Sequence, residues 1–304
     1  MSFTPTPTPT PHLIIFVYFY FFTLYRYANI KDANDPSRIG KFIVEGKEPI
    51  RLLLESDLKI HSLYLKPTIY NTLKLDIIKR YNKDDLLNIK RFAIYISKPS
   101  LMANVAGYLT ARGSFACGLR PVERNEEWLY TNILKDKNDQ WKESFRILAI
   151  DGCNNTANLG SLIRSGTALG MNAIIISNDC CDPWYRQCIR VSMGHIFHTP
   201  IIKVNSLTNT LIHLQSECNM LTWGAVIDQN VHRLMQLKDI TKRWCGIVGN
   251  EDKGISNDVR NACLRENGQY GGLCRIDMAS NVDSLSITVA AGIFLNGLCE
   301  REVK

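Results

Sequence analysis

The chain has 304 residues, with 36 Lys and Arg against 29 Asp and Glu and a hydrophobic share of 45%. This composition excludes extended disorder, collagen-like fibre and a polytopic membrane protein, and the length suits two domains with a core in each. Residues 1–145 carry 21 basic and 15 acidic side chains, whereas residues 146–304 carry 15 and 14, so the first half is marked as the part that meets a polyanion.

In chain order, Thr4 to Pro11 reads TPTPTPTP, an extended polyproline-like segment. Leu13 to Tyr25 reads LIIFVYFYFFTLY, 13 residues without a charge, which is short of the roughly 20 that span a bilayer as a helix. No Lys or Arg precedes Arg26, as a secretory signal or mitochondrial presequence requires. Three readings stay open for this run: a membrane anchor, an atypical targeting segment, or residues outside the working protein.

From about residue 36 the pattern is short α/β alternation. FIVEG (42–46) predicts a strand, and EPIRLLLESD (48–57) a helix with Ile50, Leu53 and Leu54 on one side. SLYL (62–65) and FAIYIS (92–97) read as strands, SLMANVAGYLTARG (100–113) as a helix ending at Gly113, and FACGLR (115–120) as a strand. The polar stretch 121–144 reads as the interdomain connection.

The second half alternates more regularly. Strands are expected at RILAIDG (146–152), AIIIS (173–177), PIIKV (200–204), WGAVID (223–228), CGIVG (245–249) and CRIDM (274–278). Helices are expected near 158–169, 183–194, 206–218, 255–266 and 284–302. Apolar strands alternating with helices imply a mainly parallel sheet covered on both faces, with ligands at the carboxyl ends of its strands. Ten cysteines are scattered from residue 117 onward with no C-x-x-C pair, which implies reduced thiols, a reducing compartment and no metal site.

Three segments carry the chemistry. The first, Asn158 to Gly170, opens a helix directly after a strand; Asn158 is placed to cap it, and Gly160 leaves the stem of Arg164 uncovered. A guanidinium there suits a phosphate or a hydroxyl, while a lone arginine also reads as a solvated surface ion pair. In the second, Ile247 to Ser256, Gly249, Asn250, Glu251 and Gly254 form a tight loop and Ser256 caps the next helix; an ordinary turn is the alternative. In the third, Ile276 to Ala291, a polar loop leads to Ser284, Leu285 and Ser286 at a helix start, where Ser284 alone reads as an N-cap. His195 and His198 lack a third ligand and read as surface or core residues.

Taken together, N-x-G-x-x-x-R, GNExxG and the closing M…SLx(I/V)xVA resemble the SpoU (TrmH-like) RNA 2′-O-ribose methyltransferases of the SPOUT superfamily over roughly residues 145–300. FIVEG and GYLTARGSFACGLRP resemble the ribosomal-protein-like RNA-binding domain that precedes the catalytic one in many members. The resemblance implies four segments: residues 1–34 outside the fold, an α/β RNA substrate-binding domain at 35–122, a linker at 123–144, and a methyltransferase domain at 145–304 whose parallel sheet carries a deep trefoil knot. It implies S-adenosyl-L-methionine held by Gly249, Asn250, Ile276, Met278, Ser284, Leu285 and Ser286. It also implies catalysis by Arg164 with Asn158, Glu251 and Ser284, no metal, and a homodimer acting on ribosomal or transfer RNA. The cytoplasm or the mitochondrion is the implied compartment, and the apolar run alone leaves membrane contact open. Two positions depart from the family pattern: Ser286 stands where the family has asparagine, and Asp277 where proline is common. The serine offers fewer hydrogen-bonding groups, the aspartate predicts a looser cofactor loop, and a catalytically inactive RNA-binding paralogue is the alternative.

Overall fold

The computed structural model describes residues 24–28, 39–81, 92–107, 113–265 and 269–302. The Thr-Pro segment, most of the apolar run and residues 108–112 lie outside the described residues. Contacts divide the chain into two units, Met1–Arg120 and Pro121–Lys304.

The first unit is built on a four-stranded sheet of β1 (Lys41–Glu45), β2 (Ile60–Leu65), β3 (Ala93–Ile96) and β4 (Ser114–Leu119), in the order β1-β4-β2-β3. β4 runs antiparallel to both neighbours, and β2 and β3 are parallel. Helix α1 (Lys47–Glu55) buries Ile50, Leu53 and Leu54, the face that its spacing predicts. Helix α2 (Pro67–Arg80) buries only Leu73 and Ile77 while Leu75 and Ile78 stay exposed. Helix α3 (Pro99–Ala106) ends at Gly107, not at Gly113. Gly107 turns left-handed at φ 76° and donates its N–H to the Ala103 carbonyl.

The expectation that residues 1–34 lie outside the fold meets an exception at residues 24–28. Leu24 and Tyr27 are buried in the core of the first unit with Ile43, Tyr64, Met102 and Phe115. The Tyr27 hydroxyl donates to the Ser62 carbonyl at 2.9 Å and lies 2.8 Å from the Ser62 hydroxyl. An aromatic ring with a satisfied polar tip is suited to such burial.

The second unit holds seven parallel strands: β5 (Phe145–Ile150), β6 (Ala173–Ser177), β7 (Ile201–Val204), β8 (Leu221–Ala225), β9 (His232–Arg233), β10 (Arg243–Val248) and β11 (Gly271–Arg275). Their order is β7-β6-β5-β10-β8-β11-β9. The expected strands at 223–228 and 274–278 begin and end earlier, so Ile276 and Met278 lie in the loop beyond β11. β6 is buried at every position, as a strand covered on both faces must be.

Residues 121–144, read as a connection, carry helix α4 (Glu126–Leu129) and a π-helical turn at Tyr130–Leu134. Leu129 and Leu134 are buried with Phe145, Ile147 and Val204 in the core of the second unit. Trp128, Tyr130, Ile133 and Trp141 pack partly buried against the same core, but charged and polar residues between them blur any periodic signal. The remaining helices of the unit are α5 (Thr156–Ala168), α6 (Arg186–Val191), α7 (Leu207–Cys218), α8 (Asn257–Cys263) and α9 (Ile287–Glu300). Gly246 of β10 lets α9 lie close, because a methyl there would stand 3.0 to 3.2 Å from Leu295, Phe294 and Leu298.

Candidate functional site

The strand order reverses between β5 and β10, since the chain passes from β5 to β6 and β7 on one side and to β8 on the other. A crevice at the carboxyl ends of the strands belongs at such a point. The loops after β5 and β10 are tied together there. The Asn250 side-chain amide donates to the Gly152 carbonyl at 2.7 Å, and the Ser256 N–H donates to the Asp151 carboxylate at 2.7 Å. Gly152, left-handed at φ 71°, donates its own N–H to the Ser177 hydroxyl at 2.8 Å. That hydroxyl in turn donates to Asp179 at 2.5 Å.

The third loop reaches the same end of the sheet. Glu302, beyond α9, pairs with Arg146 at the start of β5, and the Cys299 thiol lies 3.8 Å from the Leu169 carbonyl at the end of α5. The tail of α9 is thus at the amino end of β5. A helix of 14 residues spans about 21 Å, so Ser286 at its start lies towards the carboxyl end of the sheet.

The turn after β10 is held by reciprocal backbone bonds between Asn250 and Gly254, both 2.9 Å, and the Asn250 carboxamide oxygen accepts the N–H of Asp252 and of Lys253. Gly249 has no alternative there, because a Cβ would stand 2.0 Å from the Gly254 carbonyl carbon and 2.1 Å from the Ile255 nitrogen. Glu251 in this turn and Arg164 on α5 are both exposed. Neither makes a hydrogen bond or ion pair among the described residues, so both are open to a ligand. Beside them, burial first and then the charges of Arg164 and His198 depress the pKa of His195, which favours its neutral form. Burial pushes the Cys153 thiol up to about 12, so it is no nucleophile.

Several local roles differ from those read in the sequence. Asn155, not Asn158, caps α5, its carboxamide accepting from the N–H of Ala157 and of Asn158. That leaves the half-buried Asn158 side chain in the first turn without capping work. Gly160 does not bare the arginine stem; it admits α6, since a Cβ would come within 2.5 Å of the Cys188 carbonyl. Ser256 makes no side-chain cap bond, because the Asp151 carboxylate takes its place at the head of α8. Helix α9 begins at Ile287, so Ser284 lies in the preceding loop, and Ser286 occupies the cap position without a side-chain cap bond. Ile276, Met278 and Leu285 are half-buried, while Ser284 and Ser286 are exposed.

Asp277 does not slacken its loop. Its carboxylate accepts the Arg233 Nε at 2.7 and 2.9 Å, and it pairs with the Arg275 guanidinium at 2.9 Å. Asp151, Gly152, Ser177, Arg233 and Arg275 were not singled out in the sequence; of these, only the Asp-Gly step at the end of β5 offered a local signal. Among the described residues no group of three or more His, Cys, Asp or Glu could hold a metal ion. No helix among them is long and apolar enough to cross a membrane.

Comparisons with known proteins give a consistent picture. Residues 146–296 match the sequence model of the SpoU rRNA Methylase family. The 23S rRNA (guanosine-2′-O-)-methyltransferase RlmB of Escherichia coli K12 is 32% identical over 149 residues, covering 49% of this chain and 57% of that protein. An uncharacterized tRNA/rRNA methyltransferase of Mycobacterium tuberculosis is 26% identical over 219 residues, covering 69% of this chain and 67% of that one. The chain thus spans little more than half the length of RlmB. The crystal structure of the SpoU methyltransferase AviRb from Streptomyces viridochromogenes superposes with a TM-score of 0.68 at 21% identity, covering 91% of this chain and 95% of that one. AviRb has also been solved in complex with the cofactor AdoMet.

Proposed function

The chain belongs to the SpoU rRNA methylase family through residues 146–296, and on that premise we propose that it is an S-adenosylmethionine-dependent RNA methyltransferase acting on a ribose 2′-hydroxyl of ribosomal or transfer RNA. The observation that carries the reading is the convergence at one end of the parallel sheet. There the loops after β5 and β10 are tied together, and Glu251 in the turn after β10 and Arg164 on α5 are exposed with no hydrogen bond or ion pair among the described residues.

The residues present fit the cofactor. Ile276, Met278 and Leu285 offer partly exposed apolar surface, and the head of α9 lacks a side-chain cap, so its backbone donors are open. Gly249, Asn250, Ser284 and Ser286 supply the remaining polar contacts. When bound, S-adenosylmethionine supplies a methyl group already activated by its sulfonium.

The protein is then left with orienting the 2′-hydroxyl and easing loss of its proton. A guanidinium stays protonated, so Arg164 acts by holding the hydroxyl oxygen or a flanking phosphate and stabilising the negative charge that develops. Asn158, in the first turn of α5, and Glu251 orient the ribose or the arginine, and Ser284 borders the reacting centre. Ser286 makes fewer contacts than an asparagine would, and a water completes its hydrogen bonding.

The first unit, which holds most of the excess positive charge, binds the RNA through phosphate contacts. A homodimer is part of the proposal. A reducing compartment, cytoplasmic or mitochondrial, accords with ten free cysteines, eight of them buried.

The test is direct. Arg164→Ala removes no intramolecular bond, so the variant should fold, melt and bind S-adenosylmethionine as the parent does, while losing methyl transfer to RNA. Near-normal turnover would remove Arg164 from the mechanism, and absence of cofactor binding by the folded parent in calorimetry would overturn the proposal.

A further inference from the structure

Arg233 makes up half of β9, an edge strand of two residues, His232 and Arg233, paired only with Cys274 and Arg275 of β11. This register sets Arg233 directly opposite Arg275, a pairing of like charges that opposes the contact. Two residues of ladder hold such a strand weakly. Asp277, two positions beyond Arg275, resolves the conflict.

Its carboxylate lies between both guanidinium groups, 2.6 Å from Arg233 Nη2, 2.7 and 2.9 Å from Arg233 Nε, and 2.9 Å from Arg275 Nη1. The two-nitrogen contact from Arg233 fixes orientation as well as distance. Hydrogen bonds from Arg233 hold the Asp277 carboxyl below its ordinary range, so it stays ionised at neutral pH. Arg275 is mostly buried, at 19% side-chain exposure, and forms the rigid side of the clamp. The result is a cross-brace from the sheet edge to the midpoint of the segment between Ile276 and Met278.

We propose that Asp277 is a positioning residue for the methyl-donor pocket: gripped by Arg233 and Arg275, it holds the Ile276–Met278 backbone in the cofactor-binding geometry. This rests on the reading of that loop as part of an S-adenosylmethionine site. Without the brace, the loop must be ordered by the cofactor itself, and binding bears that cost.

The experiment is calorimetric titration of the full chain with S-adenosylmethionine, comparing the parent with Asp277→Ala, Arg233→Ala, the double variant and Asp277→Glu. Each alanine change should weaken binding about tenfold, equivalent to ~1.4 kcal/mol, with RNA affinity unchanged. The double variant should lose less than the sum of the two single losses, because Asp277→Ala already removes the group that Arg233 grips. Raising salt to about 1 M, where screening acts within ~3 Å, should weaken the parent towards the variants. In turnover the change should appear in the KM for the cofactor and not in kcat, and Asp277→Glu should recover most of the affinity. Parental affinity in Asp277→Ala, or additive losses in the double variant, would overturn the positioning role while leaving the methyltransferase reading intact. No binding by the parent would overturn both.

Discussion

Gly249→Ala separates two reasons for glycine within one turn. A Cβ at position 249 would stand 2.0 Å from the carbonyl carbon of Gly254 and 2.2 Å from its oxygen, against a normal carbon–carbon contact of about 3.5 to 4.0 Å. Both neighbours are backbone atoms, so no side chain can swing aside. The turn must open, breaking the reciprocal Asn250–Gly254 bonds and drawing Asn250 off the Gly152 carbonyl. Three bonds at ~1 kcal/mol net each give a loss of ~3 kcal/mol. For a unit of this size that is a fall in melting temperature of about 6 to 12 °C. Gly254→Ala is the control: it sits at φ 68° with nothing within 4 Å of an added Cβ, so only the left-handed backbone is penalised, by about 1 to 2 kcal/mol. Differential scanning calorimetry with and without S-adenosylmethionine reads both effects. Gly249→Ala should melt lower than Gly254→Ala and lose cofactor stabilisation, whereas Gly254→Ala should keep it. Equal destabilisation, or retained cofactor stabilisation in Gly249→Ala, would refute the close-approach argument.

Two further outcomes test the frame around the site. Glu302 accepts from Arg146 at 2.7 and 3.1 Å and from the Trp244 indole at 2.9 Å. Burial alone raises its pKa, but these bonds outweigh it and the net shift is downward from 4.5. A depressed carboxyl stabilises the fold above its unfolded value and loses that contribution as pH falls through the folded one. Glu302→Gln should therefore cost ~1.5 to 3 kcal/mol in urea unfolding at neutral pH, and the gap should close below pH 4.5; a pH-independent gap would contradict the ion pair. Tyr27→Phe leaves two Ser62 groups without their partner and should destabilise the first unit by ~1 to 2 kcal/mol. An unchanged thermal transition would show that residues 24–28 are not docked.

Much of the fold was legible in the sequence because strands covered on both faces announce themselves. AIIIS at 173–177 coincides with β6 residue for residue, and the other apolar runs of the second half each became a strand. The chemical motifs were legible for a different reason. An arginine six residues after an asparagine in a helix that follows a strand, a glycine-bounded Asn-Glu pair and a serine-rich helix start are local patterns, and three of them in fixed order are specific where each alone is bland.

Long-range packing assigned the local tasks to particular residues. Asn155 and Asn158 are equally good caps by type, and backbone geometry chose Asn155. Gly160 lacks a side chain because of Cys188, 28 positions away, and Asp151 caps a helix more than a hundred residues downstream. Asp277 read as a weakness because the partner that grips it with two nitrogens is invisible locally: Arg233 is 44 residues distant and is delivered by strand pairing. Periodicity and motif order are encoded in neighbouring residues, so the class of the second unit and the strand ends where chemistry gathers could be read without the fold. Charge pairing and close backbone approach depend on which strands become neighbours, and the order β5-β10-β8-β11-β9 is a property of the folded sheet.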